Sequence, residues 1–152
     1  KQFHDQKILE LLTNFLKKPA NPNEQIRFIK AIKFLKEKFS LITEIADSLT
    51  IYYDNFKIEF DEESKIILNS KKNLLSELRQ IFKMIDEWND DNIHSAVDQF
   101  AKNNSLKIKD FAPALRIALT YSKSSSGGIF EIIEILGQQE VDKRLQIIVT
   151  CN

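Results

Sequence analysis

Three groups of residues in this chain have types and spacings that could do chemistry. Arg27, Lys30, Phe34 and Lys38 follow one another at intervals of three, four and four. On a helix that spacing places them on one ridge. Three cations and an aromatic ring facing solvent suit a phosphate backbone with a base or ribose beside it. The same ridge also fits an ordinary solvated helix face with one stray Phe. Arg116 is the only charge in the apolar run Phe111–Thr120. A helix this apolar is expected to be buried, and an unpaired charge in it is costly. Arg116 therefore needs either a carboxylate such as Glu131 or Glu134, or a ligand for its planar fork. The loop Ser122–Gly128 (SKSSSGG) offers hydroxyls, backbone N–H groups and Lys123 beside the start of a helix. Helix starts attract anions, although the composition equally describes a plain linker.

Other chemistries lack their residues. His4 and His94 stand apart from each other and from Cys151, so no metal-ligand spacing exists and no metal site is expected. Neither a G-x-S-x-G nucleophile turn nor a G-x-x-x-x-G-K-[ST] phosphate cradle occurs. The acidic pairs Asp86/Glu87 and Asp90/Asp91 flank a turn, where carboxylates cap helices and meet solvent more readily than they act as acid and base. No catalytic residue is assigned.

The elements that must carry these residues are helical. Apolar spacing predicts a helix over residues 2–18, using Phe3, Ile8, Leu11, Leu12, Phe15 and Leu16, broken by Pro19 and Pro22. Asn23 is placed to cap a helix over residues 24–38, with Ile26, Phe28, Ile29, Ile32 and Leu35 facing inward. A short helix from Ser40 to Ser48 follows. Residues 50–60, TIYYDNFKIEF, read as an aromatic connector with some extended character. The DEES string at residues 61–64 looks like a helix start, leading through Ile67 and Leu68. Further helices are expected over residues 71–87, 90–103, 106–119, 129–136 and 138–149. The reading is all-α, in two packed helical subdomains, residues 1–60 and 61–152.

Composition agrees with that class. Three glycines and three prolines in 152 residues are few for a β-protein, whose turns consume many. No run approaches ~18 uninterrupted apolar residues, so no membrane span is expected. The lone cysteine fits a reducing compartment. The chain begins at Lys1 and its only methionine is Met84, so a piece of a longer protein is expected. The formal net charge of zero conceals a gradient. Residues 1–38 hold nine Lys/Arg against four Asp/Glu, and residues 39–91 hold six against twelve. A basic first third permits a nucleic-acid surface there.

Two strings carry a resemblance. Residues 113–120 and 129–145 give P-x-L-R-x-A-L-T, a glycine-containing loop, then I-F-E-I-x-x-x-L-G-x-x-x-V-x-x-R-L. This closely resembles the C-terminal end of bacterial glutamyl-tRNA synthetases. The earlier string EQIRFIKAIKFLKEKFSLITEIADSLTIYY is similar to the same family's stem-contact and anticodon-reading helices. The likeness spans roughly residues 24–148, and between 61 and 105 it is carried by helix order.

The resemblance implies a fold of the class I synthetase anticodon-binding type, with a stem-contact and anticodon-reading subdomain (1–60) and a C-terminal anticodon-binding subdomain (61–152). It implies a fragment of a glutamate–tRNA ligase that binds glutamate tRNA, and glutamine tRNA in some members. The full-length enzyme would use ATP and magnesium. The H-I-G-H-like and K-x-S-K-like catalytic strings are absent here, so this part binds tRNA without catalysing and needs no cofactor. A cytoplasmic monomer away from membranes is implied. Arg27, Lys30 and Lys38 would meet the stem or loop, with Lys38 where many members carry a base-reading arginine. Arg116 falls on the arginine that contacts the anticodon, and Ser126, Gly127 and Ile129 on the loop and helix start flanking it. Tyr121 stands where the family usually has glycine and is expected to add a stacking surface; Gly127 stands where it often has proline. The rivals are a helical protein–protein adaptor, which would use an exposed apolar groove, and a small stand-alone enzyme.

Overall fold

The computed structural model describes residues 2–57, 59–125 and 127–150, and among these every regular element is helical. The chain divides into two compact units, Lys1–Phe56 and Lys57–Asn152.

In the first unit, α1 (Gln2–Leu12) runs into a 3-10 turn at Thr13–Phe15, and α2 (Pro22–Lys38) follows. The predicted helix over 2–18 therefore stops six residues early, with the Thr13 hydroxyl bonded back to Leu9 O. Phe3 and His4 lie outside the residues whose side chains are described. Asn21, not Asn23, caps α2. Pro22 occupies the first turn, and Asn21 and Glu24 exchange bonds across the cap, Glu24 N to Asn21 Oδ1 at 2.8 Å and Asn21 N to Glu24 Oε1 at 2.9 Å. Proline costs nothing where no intrahelical N–H bond is made, and the Asn-x-x-Glu spacing satisfies two of the orphan donors. The core stripe of α2 is Phe28, Ala31, Ile32 and Leu35. Ile26, expected inside, is 53% exposed, because it sits two residues from Phe28 and so on the far side of the stripe.

The rest of the first unit is α3 (Ile42–Ser48) and a 3-10 turn, Leu49–Tyr52. The anticipated extended connector thus opens as a helical turn, and β-conformation begins only at Tyr53. Tyr53 is buried edge-on against Phe28 at 5.1 Å, donates its hydroxyl to Lys18 O, and lies under the Lys18 ammonium. Asp5, fully buried on α1, pairs with Lys36 at 2.6 Å and ties α1 to α2.

The second unit contains α4 (Glu62–Ser70, capped by Asp61), α5 (Lys72–Lys83), α6 (Asp90–Asn103, capped by Asn89), a 3-10 turn at Ile108–Asp110, α7 (Ala112–Thr120), α8 (Ile129–Leu136) and α9 (Gln138–Thr150). Helices α5 and α9 form its most extensive pair. Their buried stripes are Leu75, Leu78 and Phe82 on one side and Val141, Leu145 and Ile148 on the other, with Arg79 and Asp142 bonded across the edge at 2.8 Å. Helix α5 ends at Lys83 rather than 87. There Gln138 donates to Phe82 O and Ile85 O, both at 2.8 Å, and supplies the partners that carbonyls at a helix end lack. Among the described residues no helix is long and apolar enough to cross a membrane.

Candidate nucleic-acid interface

Helix α2 presents the first set of expected site residues. Lys30 and Lys38 are exposed, Phe34 is half-buried, and the Lys38 ammonium lies 5.6 Å from the Phe39 ring centre. Arg27 departs from the expectation of an exposed ridge cation. Its side chain is only 15% exposed and donates from Nη1 to Asp54 Oδ1 at 2.6 Å and to Tyr52 O at 3.0 Å. The physical reason is the turn at Tyr52–Asp54, which folds back over the start of α2. Asp54 N reaches Glu24 Oε2 at 2.6 Å, and Asn21 Nδ2 reaches Asp54 Oδ2 at 2.9 Å. Asn21, Glu24, Arg27 and Asp54 are therefore one closed polar network.

This separates the cations by job. Arg27→Ala is expected to lower the unfolding free energy by about 1–3 kcal/mol, because the charged hydrogen bonds to Asp54 Oδ1 and Tyr52 O are both lost. Lys30→Ala and Lys38→Ala should stay within about 0.5 kcal/mol of the parent. Urea unfolding of the three variants measures the contrast.

In the second unit, Arg116 lies on α7 but is half-buried rather than enclosed. Its Nη1 donates to Ser125 O at 2.9 Å and to Ser125 Oγ at 3.1 Å. Neither expected carboxylate takes it: Glu131 Oε1 accepts from Gly128 N at 3.0 Å, at the start of α8, and among the described residues no hydrogen bond or ion pair joins Glu134 to Arg116. Arg116 thus holds the loop that follows its own helix. The loop has further ties. Thr120 Oγ1 bonds both Arg116 O and Ser122 O at 2.8 Å, and Lys123 pairs with Glu63 on α4. Gly127 has φ +102°, a backbone that proline cannot adopt, so this loop follows a different path from one with proline there. Ile129 opens α8 and is half-buried. Ser126 lies outside the described residues.

Tyr121 is not an open stacking platform. It is 6% exposed, with its ring stacked on Phe60 at 4.6 Å and 17°. Its φ of +64° ends α7 in the left-handed region. Burial pushes its phenol above the ordinary value; the nearby Arg144 charge lowers it and Glu140 raises it.

The deeply buried arginine is Arg144, which the search for chemistry passed over. It is 2% exposed on α9 and donates to Glu140 Oε2 at 2.9 Å and to Leu119 O, at the end of α7, at 2.6 Å. A signal was present. Glu140, Val141, Arg144, Leu145 and Ile148 share one helical stripe, so the ion pair had to lie among the apolar residues. Asp54, Glu63 and Ser125 left no such trace, because each acts through a partner distant in sequence or on an irregular loop.

Comparison with known proteins adds the following. Residues 7–149 match the family model described as anticodon binding domain. A glutamate–tRNA ligase of Bradyrhizobium diazoefficiens is 31% identical over 132 residues, covering 86% of this chain and 28% of its own length. One from Afipia carboxidovorans is 30% identical over 149 residues, covering 96% and 31%. The chain therefore spans under a third of the curated relatives it matches. Among solved structures, a glutamate tRNA ligase from Elizabethkingia meningosepticum, in complex with its amino acid, superposes with a TM-score of 0.78. It does so at 18% identity over 97% of this chain and 29% of that one, a likeness of fold.

Proposed function

The chain belongs to the anticodon binding domain family, and we infer that it is the tRNA-holding part of a glutamate–tRNA ligase. The family match along residues 7–149 carries this reading. The whole protein would join glutamate to tRNA with ATP and magnesium in the cytoplasm. This part would contribute grip and no chemical step, since it has no catalytic string and no phosphate cradle. ATP and magnesium would be held elsewhere in the longer protein.

Within that reading, residues 1–60 serve the anticodon stem and loop, and residues 61–152 serve the anticodon. Lys30 and Lys38 supply exposed cations for phosphates, with Arg27 holding the turn beside them. Lys38 is a point charge where a planar fork would grip two acceptors, which favours phosphate over base edge at that position. Arg116, Gly127 and Ile129 border the loop that would meet unstacked bases, together with Ser126. Bases in a single-stranded loop are readable because their edges and faces are free. The partner is glutamate tRNA, with glutamine tRNA as the related alternative, and the chain acts as a monomer.

The test is binding of the chain to both tRNAs across a salt series, with Lys38→Ala and Arg116→Ala alongside. Affinity is expected to fall steeply with salt, Lys38→Ala to reduce the log–log slope by about one, and Arg116→Ala to weaken binding about 5- to 100-fold. The ratio between the two tRNAs reads out discrimination. An intact helical fold with no binding at low salt would sink the proposal and leave the adaptor reading.

A further inference from the structure

The second unit contains a half-open cleft of about 400 Å³ that is separate from Arg116 and its loop. Its apolar lining is Phe60 at the edge of α4, Leu68 on α4, and Ile147 and Ile148 on α9. Lys65, Asn69 and Lys72 complete it. Residues 65, 68, 69 and 72 recur at helical spacing, so the α4 stripe and the first turn of α5 present one apolar, one amide and two cationic groups to the same space. Among the described residues no carboxylate is part of the lining, although Glu62 pairs with Lys65 at 3.3 Å on the exposed edge of α4; the unit has 15 Asp/Glu against 13 Lys/Arg, so its long-range field would not draw in an anion. The cations here act locally. Phe60 has one face closed by Tyr121, which is not part of the lining, and this fixes the ring as a rigid wall. The volume lies in the range of small-ligand sites, about 300–1,000 Å³.

A flat apolar wall with two lysines and an amide at its rim fits a molecule with an aromatic face, a polar edge and a negative charge. We propose that the cleft between α4 and α9 takes one unstacked nucleotide of the bound RNA, its base against Phe60, Leu68 and Ile148 and its phosphate toward Lys65 and Lys72. Asn69 then offers its amide to the base edge. The choice of RNA as the source rests on the function inferred above; the fit to a nucleotide rests on the cleft alone. Another cavity, about 430 Å³ beside α1 and the start of α2, is lined among the described residues by Glu10 with its lysines and by no aromatic ring, and does not match this chemistry.

Two measurements decide it. The first titrates adenosine 5′-monophosphate, with adenosine as control, into the chain while the methyl resonances of Leu68, Ile147 and Ile148 are followed. Those resonances are expected to move with the mononucleotide, with adenosine at least about 5-fold weaker. The paired change Lys65→Gln and Lys72→Gln should erase that difference, and Phe60→Leu should weaken both ligands about 5-fold or more through lost stacking. Unmoved cleft resonances, or equal binding of the two ligands, would overturn the proposal. The second measurement compares parent and paired lysine variant on glutamate tRNA. One phosphate lost from the interface should lower the log–log salt slope by about one. An unchanged slope would remove RNA as the source. If the parent itself fails to bind tRNA, the function reading falls, while the mononucleotide titration still decides the cleft's chemistry.

Discussion

Replacing Arg144 with methionine is expected to lower the unfolding free energy by about 3–5 kcal/mol. Methionine can fill much of the volume but leaves Glu140, 5% exposed, as an uncompensated buried charge. It also removes the donor that satisfies Leu119 O where α7 ends. The pair itself need not stabilise the fold, because taking both charges out of water offsets most of their attraction. Changing both residues, Arg144→Met with Glu140→Leu, should therefore recover most of the loss. Urea unfolding of the two single variants and the double variant gives the coupling directly. An additive outcome would mean that the two side chains do not act as a pair.

The second large effect is at Tyr121. Its ring is buried against Phe60, and truncating a buried aromatic costs about 3–5 kcal/mol. Its backbone works the other way, because φ +64° strains any residue with a Cβ by about 1–2 kcal/mol. Burial outweighs strain, so Tyr121→Gly should destabilise by about 2–4 kcal/mol, and Tyr121→Ala by about 1 kcal/mol more, since alanine loses the ring and keeps the strain. If glycine proved more stable than tyrosine, the stack would be contributing less than the backbone strain it overrides. The phenol adds a pH dependence. Burial holds the neutral form, so the folded-state pKa lies above the unfolded value of about 10. That stabilisation is complete below the unfolded value and is lost as pH rises through the folded one. Stability measured upward from pH 9 should fall less for Tyr121→Phe than for the parent. Part of the fall should persist, because burial also raises the phenol of Tyr53.

How much of this was legible in the sequence can be judged from individual residues. Helix α6 is legible over residues 90–103 because Ile93, Val97 and Phe100 keep helical spacing. Helix α8 is legible as the apolar helical pattern over residues 129–136 that follows the Ser/Gly loop. The all-helical class and the family were likewise legible, since periodicity and short strings survive in one dimension. Two asparagines flank Pro22, and only the reach of Glu24 tells that Asn21 rather than Asn23 caps α2. The ridge cations looked equivalent because spacing gives an angle around the helix. It does not tell that a turn 27 residues later brings Asp54 to Arg27. The burial of Tyr121 is hidden for a similar reason: its partner Phe60 lies across the unit, in a stretch without periodicity.

Arg116 attaches to Ser125 through one terminal nitrogen, and both hydrogen bonds leave from that atom. The opposite edge of the guanidinium, Nε with Nη2, is a second, independent hand. A lysine at this position would offer three donors on one nitrogen, with no rigid plane to fix where the remaining ones point. In arginine the nitrogen that anchors the loop and the donors of the opposite edge lie in one rigid plane, so a movement of Ser125 turns that whole plane.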